Sequence, residues 1–455
     1  ASLAVWVEER LLPLRSSDED TQRAVVQRWW SSLETDERFV LTKLMTGAFR
    51  VGVSKRLVVR ALAELAATET DVIAHRLAGD WQPTADNFAS LIRPPSPDDK
   101  PGTDDPSRPY PFFLASPVEA PGAADTLAQQ VAAISDKLGP IDDWLCEWKW
   151  DGIRAQLIRR DDNIWIWSRG DEDLTPRLPE IVTQAAALPD GLVLDGEVLA
   201  WRDDQPLPFG VLQTRINRQD VTPRARRDAP VAFIVYDVLE HDSRDLRDSA
   251  IEDRRQILES LPKTGVIRSS ELVTAESWDE LAESRKSSRE RRVEGLMLKR
   301  RGSPYRAGRR VGDWWKWKVD PLTIDAVLTH AEPGRGRRAN LLTDYTFALW
   351  TGSEPGTGEL VPVARAYSGL DNDEIAELDR WLRNNGVRRF GPVREVKPHH
   401  VFELAFEGVS ESTRHRSGVA LRFPRIQRWR RDKPLEQADT LDALRALMPE
   451  LGPKP

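Results

Sequence analysis

The residues that could do chemistry are concentrated in one short segment, Glu147-Trp148-Lys149-Trp150-Asp151-Gly152-Ile153-Arg154. Side chains of a β-strand point alternately to opposite faces, so Glu147, Lys149 and Asp151 should share one face. A lysine amine can act as a nucleophile when it is uncharged. Gly152 allows a tight turn after the strand, which directs Arg154 back towards the same place. The same spacing also fits an ordinary ion-paired lysine on a strand, so this segment alone decides nothing.

The elements that must position this segment are strands. Runs rich in β-branched and aromatic residues alternate with charged segments from about residue 112 to 320, which predicts a strand-rich region. The runs are WLCEWKW, IRAQLI, NIWIWS, GLVLDGEVLAW, VAFIVYDVL, VEGLMLKR and WWKWKV. Helices are expected near 176–188 and 249–260.

The regions on either side have a different character. Apolar residues recur at intervals of three and four in AVVQRWWSSL (24–33) and LVVRALAEL (57–65), which predicts helices. Residues 94–111 contain seven prolines, which predicts an exposed linker. After Pro321, strand-like runs and one helical stretch at 371–385 predict a small β-barrel. We therefore expect domains at 1–105 (with the linker), 106–320 and 321–455.

The net charge of −7 taken alone argues against a nucleic-acid partner, but it is a sum over 455 residues that conceals local concentrations of charge. Residues 285–310 hold eleven basic side chains against two acidic ones, and residues 414–433 hold eight against one. Such basic strips can bind nucleic-acid phosphates, although a run of charged residues is more often the solvent-exposed face of a helix. The single cysteine, Cys146, excludes a disulfide framework and a cysteine-based zinc site, so oxygen atoms should ligate any metal.

The segment E-x-K-x-D-G-x-R resembles the nucleotidyltransferase motif of ATP-dependent DNA ligases, RNA ligases and messenger-RNA capping enzymes. Six further elements resemble those of the same family and follow in the expected order. They are Ser168-Arg169-Gly170, Asp195-Gly196-Glu197, Tyr236-Asp237-Val238-Leu239, Glu294-Gly295-Leu296-Met297-Leu298-Lys299, Trp315-Lys316-Trp317-Lys318, and Leu421-Arg422-Phe423-Pro424-Arg425 with Arg430-Arg431-Asp432-Lys433.

The N-terminal region narrows the resemblance. Gly47-Ala48-Phe49-Arg50-Val51-Gly52 resembles the DNA-binding domain of cellular-type and bacterial ATP-dependent DNA ligases, which capping enzymes lack. The resemblance implies a multidomain α+β protein. Its expected parts are an all-α N-terminal domain, an α+β nucleotidyltransferase (adenylation) domain and a C-terminal OB-fold β-barrel. The helical region of about 90 residues is short for this family, so we expect part of that domain to be absent from the chain.

The resemblance implies that Lys149 is the catalytic residue, which forms a phosphoramidate bond to AMP. The attacking amine must be uncharged, whereas a free lysine titrates near ~10.4. The neighbouring lysines and a bound Mg²⁺ would favour the uncharged amine, whereas Glu147 and Asp151 would oppose it. We expect the metal to settle the balance.

The other roles are also implied by position in the family's motifs. Glu147 would bind the edge of the adenine base, and Tyr236 and Met297 would cover the two faces of that base. Arg154 and Glu197 would hold the ribose, and Arg169 would hold the sugar or the nick phosphate. Lys299, Arg310, Lys316 and Lys318 would bind the nucleotide and its phosphates.

The resemblance also implies a metal site and a pyrophosphate site. Asp151 and Glu294 would bind Mg²⁺, with Mn²⁺ as an alternative ion. The departing pyrophosphate would be met by Arg422, Arg425, Arg430 and Lys433.

Several of these residues have a plainer explanation. Tyr236 and Met297 could be core residues, and Arg310 sits beside Arg309, so the register of that pair could be off by one. Trp314, Trp315 and Trp317 are expected to pack between strands, and Cys146 is expected to be buried.

The expected DNA contacts are Arg50, Gly52, Ser54 and Lys55, at a turn where backbone N–H groups and short side chains can meet phosphates. A capped helix start predicts the same residues.

We therefore expect an ATP-dependent DNA ligase that uses ATP and Mg²⁺ to seal nicks in double-stranded DNA. It should act as a monomer that clamps the duplex, without a membrane partner, in the cytoplasm and associated with the nucleoid. NAD⁺-dependent ligases normally carry a four-cysteine zinc module, which a single cysteine excludes. Two alternatives stay open: an RNA ligase or capping-type nucleotidyltransferase, and a non-catalytic nick-binding protein.

Overall fold

The structure of the chain is a computed structural model. It describes residues 2–46, 53–78, 82, 84–94, 105–118, 126–218, 220–262, 264–334 and 338–448. The chain forms two compact units, residues 1–318 and 319–455. Across these described ranges, no helix is both long enough and apolar enough to cross a membrane.

The N-terminal part of the first unit is helical, as the apolar spacing predicted. The helices are α1 (Leu3–Val5), α2 (Leu12–Leu14), α3 (Glu19–Ser32), α4 (Thr35–Met45), α5 (Lys55–Leu65), α6 (Thr70–Arg76) and α7 (Ala85–Ile92), with a π-helical turn at Trp6–Leu11. Ser54 caps α5, because its Oγ accepts a hydrogen bond from the Leu57 amide at 3.3 Å. Buried residues of α5, α6 and α7, among them Val59, Ile73 and Leu91, form a small apolar core.

In the rest of the first unit, the described residues form two large sheets and one short strand pair. Its strands are β1 (Phe113–Leu114), β2 (Ser116–Pro117), β3 (Trp144–Trp148), β4 (Ile153–Arg160), β5 (Asn163–Ser168), β6 (Leu192–Arg202), β7 (Gln205–Pro206), β8 (Val231–His241), β9 (Arg244–Asp245), β10 (Ile267–Ser269), β11 (Gly295–Arg300), β12 (Gly308–Arg309) and β13 (Trp314–Lys318). One sheet has the order β10-β8-β6-β4-β5, with β7 and β9 at its margins; the other has the order β2-β13-β11-β3, and β1 pairs with β12.

Among the residues described between 105 and 318, six α-helices accompany these sheets: α8 (Leu127–Leu138), α9 (Pro179–Ala185), α10 (Phe209–Ile216), α11 (Pro223–Asp228), α12 (Ile251–Ser260) and α13 (Trp278–Lys286). The sequence predicted α9 and α12 but not the other four. The signal for α8 was present, since Val131, Ile134 and Leu138 recur at intervals of three and four and are buried beside the four-stranded sheet.

The prediction of an exposed linker is wrong at its C-terminal end. Tyr110 is only 1% exposed, its hydroxyl donates to Glu240 Oε2 at 2.8 Å, and its backbone exchanges two hydrogen bonds with the side chain of Gln156. The prediction was based on the proline content of the whole segment, which does not show that Tyr110 has hydrogen-bond partners in the sheet. Residues 95–104 of the predicted linker lie outside the described residues.

The second unit is rich in strands. They are β14 (Leu322–Pro333), β15 (Leu342–Trp350), β16 (Leu360–Ala366), β17 (Gly386–Phe390), β18 (Val393–Val396), β19 (Val401–Phe406), β20 (Gly408–Glu411), β21 (Val419–Arg422) and β22 (Arg425–Arg430), with helices α14 (Asn372–Asn384) and α15 (Leu441–Ala446). Strand β14 is the centre of the sheet, because it pairs with β15, β18 and β19. The predicted helix at 371–385 is confirmed as α14, whereas the closed OB-fold barrel stays a prediction.

The core of the second unit generates a stability prediction. Phe402 is fully buried and packs on Phe347 and Trp429. Phe402→Ala should lower the free energy of unfolding of this unit by about 3–5 kcal/mol, because it removes apolar contacts and leaves a cavity. Denaturant unfolding followed by tryptophan fluorescence measures the change. Phe390→Ala is the control: that side chain is 51% exposed, so its replacement should change stability by less than about 0.5 kcal/mol.

Candidate active site

A pocket of about 190 Å³ in the first unit collects most of the residues predicted to bind the nucleotide, together with Lys149. Strands of both large sheets line it, so the fold brings together motifs that are up to about 170 positions apart in the sequence. Nine predicted residues are among its lining: Glu147, Lys149, Arg154, Arg169, Glu197, Tyr236, Met297, Lys299 and Lys316. Arg309 also lines it.

Strand register explains why these residues meet. In the antiparallel pairs β3–β11 and β11–β13, Met297 lies opposite both Glu147 and Lys316. The pairing continues past β3, because the Lys149 amide donates to the Gly295 carbonyl at 2.8 Å and the Glu294 amide donates to the Lys149 carbonyl at 2.7 Å. Lys149 is therefore held beside Glu294 by the backbone.

Lys149 and Lys318 share one carboxylate oxygen. Lys149 Nζ lies 2.5 Å from Glu294 Oε2, and Lys318 Nζ lies 3.2 Å from the same atom. Burial alone would raise the pKa of Glu294, but the two ammonium groups outweigh it and lower this pKa. Glu294 is therefore ionised at neutral pH and fixes the position of the Lys149 amine.

A second buried ion pair lies deeper in the same pocket. Glu147 and Lys299 are each 1% exposed, and Lys299 Nζ lies 3.2 and 3.3 Å from the two Glu147 oxygens and 3.1 Å from the Tyr236 carbonyl oxygen. Burial raises the pKa of Glu147, although Lys299 and Arg255 oppose the shift. Lys299 therefore fixes the Glu147 carboxylate at the pocket wall.

Arg154 directs most of its donors to the protein. Its Nε and Nη2 donate to the two oxygens of Asp195 at 3.1 and 2.6 Å, and Nη1 donates to the Phe113 carbonyl at 2.5 Å. Nη2 also lies 3.2 Å from the Tyr305 hydroxyl. A guanidinium has five N–H donors, so one Nη1 donor has no partner among the described residues and could meet the expected ribose.

Sequence reasoning missed the roles of Asp195 and Tyr305. Asp195 belongs to the D-G-E element, where its neighbour Glu197 received the only role. Tyr305 lies between the recognised motifs, inside the basic stretch 285–310, and its aromatic character was the only available signal.

Two glycines allow neighbouring strands to approach each other closely. A Cβ atom on Gly152 would lie 2.3 Å from the Val198 carbonyl oxygen, and one on Gly196 would lie 2.6 Å from the Ile234 carbonyl oxygen. Neither distance is compatible with a side chain, so the glycines that follow Asp151 and Asp195 are required by backbone packing.

Glu197 has an unusual titration. Burial raises its pKa to about 7; the charges of Asp195 and Glu294 add to this effect, whereas Lys149 and Arg154 oppose it. The Tyr236 hydroxyl lies 3.5 Å from Glu197 Oε2.

The pKa of Lys316 is shifted in the opposite direction. Burial lowers it, and the positive charges of Lys149, Lys318 and Arg309 add to that shift.

Four predicted residues of this region are not among those that line the pocket: Asp151, Glu294, Arg310 and Lys318. Glu294 still contacts the site through Lys149. Arg309 takes the lining position that was expected of Arg310. Lys318 still contacts the site through Glu294. Asp151 follows Lys149 by two residues and is half-buried.

The predicted tryptophan packing is confirmed. Trp314, Trp315 and Trp317 are each at most 5% exposed and belong to apolar cores, although Trp314 also lines the pocket. Cys146 is buried, as expected.

The expected DNA contacts divide into two pairs. Arg50 and Gly52 lie outside the described residues. Ser54 and Lys55 are exposed at the start of α5, and Lys55 forms an ion pair with Asp171, two residues after Arg169.

The C-terminal motif lies in the second unit, where its cations contact carboxylates of that unit. Arg430 Nη1 and Lys433 Nζ each lie 2.7 Å from Asp325 Oδ2, and Arg425 Nη1 lies 3.1 Å from Glu407 Oε1. The Arg422 guanidinium lies 5.4 Å from the centre of the Phe423 ring.

The two basic strips are also partly committed to internal contacts. Arg285, Arg292 and Arg301 donate to the carbonyl oxygens of Lys318, Pro206 and Asp142. In the second strip, Arg416, Arg428 and Arg431 pair with Glu359, Glu403 and Glu377. The count of basic residues therefore overstates the positive charge that these strips present to a partner.

Comparison with known proteins identifies the class. Three family models match the chain in order: DNA ligase N terminus at 2–63, ATP dependent DNA ligase domain at 125–318, and ATP dependent DNA ligase C terminal region at 338–433. A probable DNA ligase of Koribacter versatilis is 35% identical over 88% of this chain and 70% of its own length. A DNA ligase of Natronomonas pharaonis is 33% identical over 96% of this chain and 77% of its own length.

The fold agrees with these matches. The solved structure of Pmar-Lig_PreS3 superimposes with a TM-score of 0.58 at 16% identity, over 93% of this chain and 84% of that one. The chain belongs to the ATP-dependent DNA ligase family, within the nucleotidyltransferase superfamily. The expected order of a helical region, a central adenylation domain and a strand-rich C-terminal domain is confirmed.

Glu197 generates a prediction about pH. A carboxyl group whose pKa is higher in the folded protein stabilises the fold when it is protonated. That contribution is complete below its unfolded pKa of about 4.3 and is lost as pH rises through the folded value. The folded value is about 7. Glu197→Gln should therefore gain stability relative to the unaltered protein as pH rises from 4.5 to 8.

Urea midpoints of the two proteins across this pH range measure the difference. Glu172→Gln is the control, because Glu172 lies on the exposed turn after β5. A stability difference between Glu197→Gln and the unaltered protein that does not vary with pH would contradict the assignment.

Proposed function

We propose that the chain seals nicks in double-stranded DNA through an intermediate in which AMP is bonded to Lys149. The observation that carries this proposal is the position of the Lys149 amine, at the pocket wall and 2.5 Å from the Glu294 carboxylate. Family membership supplies the use of ATP. That Lys149 is the nucleophile, and that the substrate is nicked double-stranded DNA, is our inference.

The first step forms a nitrogen–phosphorus bond between Lys149 Nζ and the α-phosphorus of ATP. The bond from that phosphorus to the bridging oxygen breaks, and pyrophosphate leaves. The amine must lose a proton before it attacks. Burial lowers the pKa of Lys316, and the charges of Lys149 and Lys318 lower it further, so a cluster of cations would meet the phosphates of ATP. Glu294 holds the amine in place, and this ion pair is lost when the Lys149 nitrogen bonds to phosphorus.

The pocket residues would hold the nucleotide in this geometry. Glu147 is fixed by Lys299, so its carboxylate can accept a hydrogen bond from the adenine amino group. Tyr236 and Met297 also line the pocket and would cover the base. Glu197 and the remaining donor of Arg154 would hold the ribose, and Lys316 and Arg309 would meet the phosphates.

The residues present fit a magnesium ion that arrives with the nucleotide. No group of three or more His, Cys, Asp or Glu side chains that could hold a metal occurs in the part of the chain that the structure describes. Mg²⁺ commonly binds one or two carboxylates and takes its other ligands from substrate phosphates and water. Glu294 and Asp151 would supply those carboxylates. When held there, the ion would neutralise the charge of the phosphates.

The two later steps follow from the chemistry of the intermediate. The 5′-phosphate at the nick attacks the phosphorus of AMP, the bond to Lys149 breaks, and AMP becomes joined to the DNA. The 3′-hydroxyl then attacks the 5′-phosphate, a phosphodiester bond forms, and AMP leaves. We propose that the protein carries out these steps as a monomer.

Incubation with α-labelled ATP and Mg²⁺ tests the first step. The protein should acquire an acid-labile label, and Lys149→Ala should reduce labelling by at least about a thousandfold, because the nucleophile is lost. Lys286→Ala is the matched control, since Lys286 is exposed and pairs only with Glu283 among the contacts of its side chain that the structure describes; it should label normally. Chelation of Mg²⁺ should also abolish labelling.

Persistent label on Lys149→Ala would overturn the mechanism. Absence of label on the unaltered protein would favour a non-catalytic nick-binding protein. A sealing assay that compares nicked DNA with nicked RNA, and ATP with GTP, separates the proposed activity from that of an RNA ligase or a capping-type enzyme.

Salt dependence tests the mode of DNA binding. Each phosphate that a basic side chain neutralises steepens the fall of affinity with salt. If only three phosphates are neutralised, affinity for nicked duplex should fall roughly fortyfold between 50 and 200 mM salt. Fluorescence anisotropy with a labelled duplex measures it. Affinity that does not change with salt would show that the basic strips at 285–310 and 414–433 do not contact phosphates.

A further inference from the structure

Tyr305 lies behind the pocket wall rather than in it. It is 3% exposed and does not line the pocket, yet its hydroxyl contacts both Arg154, which is expected to hold the ribose, and Asp195, which holds Arg154. The hydroxyl donates to Asp195 Oδ2 at 2.7 Å and lies 3.2 Å from Arg154 Nη2. Both Nη2 and the hydroxyl therefore bind the same edge of Asp195.

The Tyr305 ring is itself held firmly. It makes edge-on contacts with Phe113 and Trp314, at ring-centre distances of 5.8 and 5.6 Å, and its amide donates to the Arg247 carbonyl at 2.7 Å. Trp314 lines the pocket, and the Phe113 carbonyl accepts from Arg154. The hydroxyl is thus a fixed donor in a rigid setting.

The hydroxyl keeps its proton at neutral pH. Burial raises the pKa of Tyr305 above its ordinary value, and the nearby charge of Asp195 raises it further. The hydroxyl therefore acts as a donor towards Asp195. A third donor on that carboxylate limits the directions in which Asp195 can hold the Arg154 guanidinium.

We propose that Tyr305 is a positioning residue of the nucleotide site, which acts through Asp195 to aim Arg154 at the ribose of ATP. This inference rests on the proposed function, because it requires ATP to occupy the pocket. Tyr305 makes no contact with the nucleotide in this proposal. Its effect is on how tightly the sugar is held.

The same unit provides a matched control. Tyr110 is 1% exposed, and its hydroxyl donates to Glu240 Oε2 at 2.8 Å. That carboxylate accepts from Arg160 Nε and Nη2 at 3.0 and 2.7 Å, and Arg160 lies on β4, as Arg154 does. Neither Tyr110, Glu240 nor Arg160 lines the pocket. Removing either hydroxyl therefore removes the same type of buried bond, but only Tyr305 is connected to the site.

The experiment compares Tyr305→Phe with Tyr110→Phe in the full chain. Thermal unfolding should show similar, small decreases in Tm for both variants, since each loses one buried hydrogen bond. For formation of the lysine–AMP adduct, Tyr305→Phe should raise the KM for ATP roughly tenfold and change the rate at saturating ATP less than threefold, which is the pattern of lost binding. Tyr110→Phe should leave both parameters unchanged.

The sugar supplies a second readout. The same KM comparison is made with 2′-deoxy-ATP and with 3′-deoxy-ATP. The nucleotide that lacks the hydroxyl bound by Arg154 should show a much smaller KM increase on Tyr305→Phe than ATP does, because the contact with Arg154 is already missing. A loss of stability alone would affect all three nucleotides equally.

The outcomes separate this inference from the proposed function. If the unaltered protein forms no adduct, the proposed function fails. If it forms the adduct and Tyr305→Phe behaves as Tyr110→Phe does, only the role of Tyr305 is overturned. Unfolding of Tyr305→Phe, or an equal KM increase with all three nucleotides, would make Tyr305 a residue of stability and would also overturn the inference.

Discussion

The antiparallel pairing of β3 with β11 is the constraint on which the pocket depends. The backbone bonds between Lys149 and the Glu294–Gly295 pair place the amine beside a carboxylate, and the register of the same strands sets Met297 opposite Glu147. A shift of one residue would turn each of these side chains to the opposite face. The tryptophans on the other face then oppose such a shift, since Trp148, Trp315 and Trp317 pack in an apolar core with α8 and α13.

Charges in this pocket are distributed in pairs, and each pair has a separate task. Coulomb interactions strengthen away from water, so a buried carboxylate without a partner would be costly. Glu147 has Lys299, Asp195 has Arg154, and Glu294 has Lys149 and Lys318. Sequence reasoning treated Lys299 as one of several charges acting on Lys149. Its contact with Glu147 indicates that it orders the opposite end of the pocket, whereas Lys149 pairs with Glu294, which also contacts Lys318.

Much of the architecture could be predicted from sequence because its signals are local. Alternation identified the strands that carry the motifs, and spacing identified α3, α5 and α14. Motif order predicted which residues would meet in the pocket. Tyr305 and the buried role of Tyr110 could not be predicted in this way, because each acts through a partner more than 100 positions away. Composition also failed there, since a proline-rich window does not show that its single tyrosine has a place in the sheet.

The net charge of −7 does not indicate which cations can reach a phosphate. A charge sum treats each ionised group as independent, but many arginines here end on carbonyl or carboxylate oxygens of their own unit, as Arg292 and Arg431 do. Such a guanidinium contributes to packing and to fold specificity, and it is less available to an external phosphate. The same holds for Arg430 and Lys433, which share Asp325. For either to meet pyrophosphate, the phosphate oxygens must compete with a carboxylate that is already in hydrogen-bonding distance. A cation that is paired with a carboxylate can bind a ligand only when the ligand is the stronger partner. The position of each cation therefore matters more for binding than the net charge of the chain.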